Sequence, residues 1–132
     1  MRSLRVTLVA LLLGLSTAVE AQSTAAPDER AAVLAVVQRL WDAMKARDTA
    51  MARAVFDSSA RLARVVTRNG EARVQLTRVS EFIEALSHAT EPWNERMFSP
   101  EVRIDGPLAS VWTEYDFHLG DKFSHCGVDA FQ

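Results

Sequence analysis

The chain contains a single cysteine, Cys126. That excludes an internal disulfide framework, a zinc ribbon and a CxxC redox site. It also lacks an excess of either charge. Fifteen Lys and Arg stand against seventeen Asp and Glu, so nothing in the electrostatics favours a nucleic-acid partner. Internal repeats and low-complexity segments are missing. The longest apolar stretch, Val6 to Leu15, is about half of the roughly 20 residues that a spanning helix needs, so no stable membrane span is expected. What remains is an ordinary globular composition, 48% hydrophobic and 24% charged, over a length that allows one domain.

The first 21 residues read as an address. Arg2 and Arg5 precede the apolar stretch, and Val19-Glu20-Ala21 offers small residues at the positions a signal peptidase recognises. The expectation is a secretory signal peptide over 1–21, cleaved between Ala21 and Gln22, and an exported chain, periplasmic or secreted. Residues 22–27 read as a short flexible leader, and 28–132 as the domain. In an oxidising compartment Cys126 is either buried or paired with another chain. The strand-like alternation around it favours burial.

Helical periodicity comes first. Pro27-Asp28-Glu29 opens a helix with acidic residues at the positive end of its dipole. Val33, Val36, Val37, Leu40, Trp41 and Met44 then form one apolar stripe. Asp48 caps a second, shorter helix that carries Met51, Val55 and Phe56. Residues 60–67 and 71–76 read as a hairpin around Asn69-Gly70, where both residues tolerate positive φ. A third helix follows over Ser80 to Ser87, capped by Ser80 or Thr77. His88 at its end serves the dipole. Trp93 falls in a loop after Pro92. From Met97 the character changes to strands: Met97 to Asp105, Leu108 to Leu119 and Lys122 to Gln132. The expected class is α+β, with helices gathered on one side of an antiparallel sheet. The strand pattern is still running at Phe131, which raises the expectation of a missing last strand and a C-terminally truncated chain.

The chemistry is concentrated in the last hairpin. A two-residue turn at Gly120-Asp121 pairs Leu119 with Lys122. Counted without interruption, it sets His118 opposite Phe123, Asp116 opposite His125 and Trp112 opposite Asp129. On this count one face carries Trp112, Glu114, Asp116, His118, Phe123, His125, Asp129 and Phe131. Tyr115 falls on the other face, with Cys126. Two readings of the first face compete. In one it lines a pocket, where Asp116 or Asp129 orients the His125 imidazole and aromatic walls grip an apolar or aromatic ligand. In the other it is the solvated outer side of the sheet. The solvated reading is stronger for Glu114, Asp116 and His118, and the pocket reading is stronger for His125 and Asp129. A one-residue slip would change every partner. His125 with Asp116 and Asp129 is a poor metal set, because no two histidines stand at i, i+2 or i, i+4. Adjacent side chains on a strand point apart, so Ser124 and His125 do not form a nucleophile–base pair.

The run Ser124-His-Cys-Gly-Val-Asp-Ala-Phe131, with the strand from Ala109 before it and Val37-Gln-Arg-Leu-Trp-Asp-Ala-Met44 in the first helix, resembles nuclear-transport-factor-2-like, SnoaL-like proteins. The nearest likeness is to their small exported branch labelled lumazine-binding. It extends over residues 28–132. The resemblance implies a cone-shaped curved sheet wrapped around the long N-terminal helix, with a pocket at its wide end. It also implies a homodimer formed through the sheet, and a final Gly-Trp-Lys-Ile-like strand that this sequence lacks. The wider family holds isomerases, dehydratases, cyclases and pocket proteins without known reactions, so fold does not fix function. No cofactor is expected, since a branch label does not establish flavin or lumazine binding. The leading expectation is a small-molecule-binding domain with no demonstrated catalysis. It uses Trp112, Glu114, Phe123, His125, Asp129 and Phe131. One rival is an acid–base enzyme with His125, Asp129 or Asp116 as catalytic candidates; another is a subunit-pairing module.

Overall fold

The computed structural model describes residues 27–132. The expected signal peptide and nearly all of the leader lie outside the described residues. The order is α1 (Pro27–Ala46), α2 (Thr49–Val55), β1 (Arg61–Arg68), β2 (Glu71–Arg78), α3 (Val79–Ser87), β3 (Trp93–Asp105), β4 (Leu108–Leu119) and β5 (Lys122–Phe131). The class is α+β. β1 and β2 form one antiparallel hairpin, and β3-β4-β5 form a separate antiparallel sheet. Neither closes into a barrel. No described helix is long and apolar enough to cross a membrane.

The stripe on α1 does what its spacing predicts. Val37, Leu40, Trp41 and Met44 are buried, with Ala43 between them, while Val36 at the stripe's edge is half exposed. This face lies on the inner side of the three-stranded sheet, against Val102, Val111 and Phe131. The Trp41 ring meets Phe131 edge-on at 6.4 Å. Burial of a side chain of this size stabilises by about 2–3 kcal/mol. Arg30 fixes the start of the helix by donating to the Pro100 carbonyl at 2.6 Å. Asp48 accepts from the Ala50 and Met51 amides at 3.0 and 2.9 Å, the expected cap of α2.

The hairpin turns are where Gly and Asn put them. Asn69 and Gly70 both have positive φ, 55° and 82°, as the tight turn of β1-β2 demands. The cap of α3 differs from expectation. The helix begins one residue earlier, and Glu81 reaches back to accept from the Arg78 amide at 3.0 Å, so neither Ser80 nor Thr77 is needed. β3 also begins earlier than expected and takes in Trp93. It bends between Phe98 and Glu101, where Ser99 has φ 49°. Thr113 is fully buried and donates to the Phe98 carbonyl at that bend, at 3.0 Å.

The decisive departure lies in β5. Leu119 faces Lys122 and His118 faces Phe123, as a two-residue turn requires. The register then shifts, and Phe117 faces His125. Ser124 is the extra residue of a β-bulge. From there Asp116 opposes Cys126, Tyr115 opposes Gly127 and Thr113 opposes Asp129. The uninterrupted pairing of Asp116 with His125 and of Trp112 with Asp129 is therefore wrong, for one physical reason: a bulge consumes a residue and flips the alternation of everything beyond it. The expected burial of Cys126 falls with it, since its thiol is exposed on the outer side.

Candidate functional site

The shifted register puts Tyr115, Phe117, His125, Asp129 and Phe131 together on the inner face. Trp93 and Glu95 join them from β3. With Leu40, Trp41 and Met44 from α1 and Phe82 from α3 they line a cavity of about 670 Å³. That size suits a small organic ligand. Leu62 and Arg64 of the hairpin complete the rim. The aromatic rings form a chain of tilted and edge-on contacts. Phe82 and Trp93 lie 5.9 Å apart, and Trp93 and Phe117 6.2 Å apart. Phe117 and His125 are 5.0 Å apart, and His125 and Tyr115 5.8 Å. Such contacts fix ring orientations as well as burying area.

Of the residues singled out in the sequence, His125, Asp129 and Phe131 line this cavity, while Trp112, Glu114 and Phe123 do not. Trp112 is 57% and Phe123 56% exposed, both on the outer face. Asp116 is also outside, where Arg96 makes a two-pronged ion pair with it. That guanidinium holds the Asp116 carboxyl below its usual range. His118 sits next along, with Nδ1 3.7 Å from Asp116, and Phe123 stands edge-on to its ring. Asp116 therefore orients Arg96 rather than His125. The strand rule separating Ser124 from His125 also gives way at the bulge: Ser124 Oγ and His125 Nδ1 are 3.1 Å apart. Tyr115 moves from the wrong face to the right one. Its ring packs over Gly127, where an added Cβ would stand 3.0 Å from Cε1.

Glu95 escaped the sequence reading altogether. It follows Pro92 in a stretch of mixed polarity, and only the extension of β3 back to Trp93 places it in alternation with Met97. It is the site's most perturbed acid. Burial and the neighbouring Asp129 carboxyl push its pKa up to about 9. Asp129 is itself raised by burial, partly offset by the hydrogen bond from Glu95 and by His125. At neutral pH the pair thus retains a proton that belongs to the two carboxyls jointly. The Tyr115 hydroxyl beside them is raised too, first by burial and then by Asp129 and Glu95. The arrangement brings two carboxyls that share a proton and one phenol together in an aromatic-walled cavity. It can donate a hydrogen bond and accept a proton within the same small volume. Among the described residues, no group of three or more His, Cys, Asp or Glu is placed to hold a metal ion.

Comparisons of this chain with protein-family models, with curated proteins and with solved structures give no match.

Proposed function

We propose that this chain is an exported small-molecule-binding protein of the nuclear-transport-factor-2-like type, whose ligand enters the inner face of the three-stranded sheet. The observation that carries the reading is the Glu95–Asp129 carboxyl pair in the wall of an aromatic-lined cavity. A filled core has no use for two carboxyl groups, because burying them costs several kcal/mol unless something else is gained. A polar terminus on an apolar pocket is the usual design of a ligand site. Export rests on the residues before the domain. Two copies would pair through the outer sheet face, where Phe98, Trp112, Phe123 and Val128 are exposed.

The test is titration with neutral naphthalene-sized arenes, followed by fluorescence of Trp41 and Trp93. Saturable quenching is expected, weakened by His125→Ala and by Asp129→Ala. If no arene quenches, or if both variants bind like the parent at unchanged stability, the site is misassigned.

A second reading, acid–base catalysis on a carbonyl compound, is favoured by one specific observation: Tyr115 shares the face of Asp129 and Glu95. Asp129 is the base in this reading, and Tyr115 with protonated Glu95 steadies the developing oxyanion. Proton exchange at the α-carbon of cyclic ketones in deuterated water, followed by NMR, tests it. Exchange that survives Asp129→Asn would refute it.

A further inference from the structure

We propose that the preferred occupant of this cavity is a protonated aromatic amine, its ring against Trp93 and Phe117 and its ammonium group at the Glu95–Asp129 end. The inference rests on the pocket reading above and names the ligand class of that same site.

Charge argues first. Neither Glu95 nor Asp129 takes part in any ion pair among the described residues. The charged groups acting on Glu95 are carboxyls, Asp129 from β5 and Asp116 from the outer side of β4. The remaining charged or titratable neighbours do not fill the gap. Tyr115 on β4 is neutral. His125 on β5 draws Asp129 down but already stacks on Phe117. Arg61 is turned to the Ser59 and Ala60 carbonyls, and Arg64 to Gln75. Glu81 on α3 lines the rim and is itself acidic. Among the described residues the pair is therefore in no ion pair, and a proton serves in a cation's place. An ammonium group can take over that role: it donates to both carboxylates, while the proton leaves to solvent.

The walls argue second and independently. Trp93, Phe117 and Tyr115 line the same cavity, with Phe117 paired to Glu95 across the strands and Tyr115 close enough to feel both carboxyls, and aromatic faces attract cations, more strongly once water is excluded. A carboxylate ligand would meet the opposite field. A neutral arene would fill the walls and leave the carboxyl pair protonated. The two contributions together predict an amine advantage of about 10- to 30-fold over a neutral isostere.

Three matched probes test this by calorimetry at pH 8: 1-naphthylmethylamine, 1-naphthalenemethanol and 1-naphthoate. The amine is expected to bind about 10-fold or more tighter than the alcohol, and the acid weakest. Amine affinity should rise with pH between 6 and 8 by up to about tenfold per unit, because one proton is displaced. Alcohol affinity should stay flat. Heats measured in buffers of different ionisation enthalpy should report release of about one proton with the amine only. The double variant Glu95→Gln, Asp129→Asn keeps the volume of the site. It should lose the amine preference, so that amine and alcohol bind with affinities within about threefold of each other. If the alcohol binds as well as the amine, or the amine releases no proton, the ligand class is wrong while the pocket stands. If none of the three binds, the pocket reading fails and the ligand class with it.

Discussion

Replacing Glu95 by Gln should stabilise this protein, and by an amount that depends on pH. In an unfolded chain the Glu95 carboxyl titrates near its ordinary 4.5, whereas in the fold it is pushed up to about 9. Between those values the folded protein holds a proton that the unfolded chain has released. Folding therefore takes up a proton, and stability falls as pH rises through this window. At pH 7.5 the span above the unfolded value is about three pH units, an upper bound of about 4 kcal/mol at about 1.4 kcal/mol per unit. Glu95 is only half-buried and the cavity mouth admits water, so about 1–2 kcal/mol is the expected cost. Glutamine keeps the shape and a donor towards Asp129, and it carries no proton to lose. The variant should match the parent at pH 4 and exceed it by about 1–2 kcal/mol at pH 8. For a domain of this size that raises Tm by about 4–8 °C per kcal/mol. Thermal melts of both proteins at intervals from pH 4 to pH 9 are the assay. A parent whose Tm does not fall across this range more steeply than the variant's would refute the shared proton, and with it the account of the site's electrostatics.

The other expectations are more local. Gly127→Ala should destabilise by about 1–3 kcal/mol in urea titration, because the new methyl meets the Tyr115 ring at 3.0 Å. Trp41→Ala removes a side chain only 2% exposed at the centre of the α1 contact, and should cost about 3–5 kcal/mol. Stability should also fall as the solution is acidified through the lowered pKa of Asp116, and Asp116→Asn should flatten that acid limb of the melting curve. Trp112→Glu should leave the monomer's stability within about 0.5 kcal/mol, since the ring is on the outer face, but should shift light-scattering mass downward if two copies pair there.

Most of the architecture was legible because it depends on repeated, local signals. The α1 stripe needs only a 3.6-residue period, and four of its six residues are buried together. Asn69-Gly70 and Gly120-Asp121 mark their turns by backbone conformations that few residues tolerate. The two late strand features carried no such mark. Trp93-Asn94-Glu95 follows a proline and has mixed polarity, so only its pairing with Phe117, His118 and Leu119 reveals it as strand. Ser124 carries no glycine or proline to announce a bulge, and flanking Phe123 and His125 alternate acceptably in either register.

That one residue decides which chemistry the sheet can offer. With uninterrupted alternation, His125 and Asp129 share a face with Trp112 and Glu114, and Tyr115 is lost to the far side. With Ser124 bulged out, Tyr115 and Phe117 turn to the helices alongside His125 and Asp129, while Trp112, Glu114 and Asp116 turn outward. Glu95 then finds its partner across β4, because both flanking strands now present a carboxyl to the same volume. The shift costs the sheet one regular pairing. In return, a rim of surface charges becomes two separate systems: an outer Arg96–Asp116 pair that neutralises itself, and an inner pair of acids that takes part in no ion pair among the described residues.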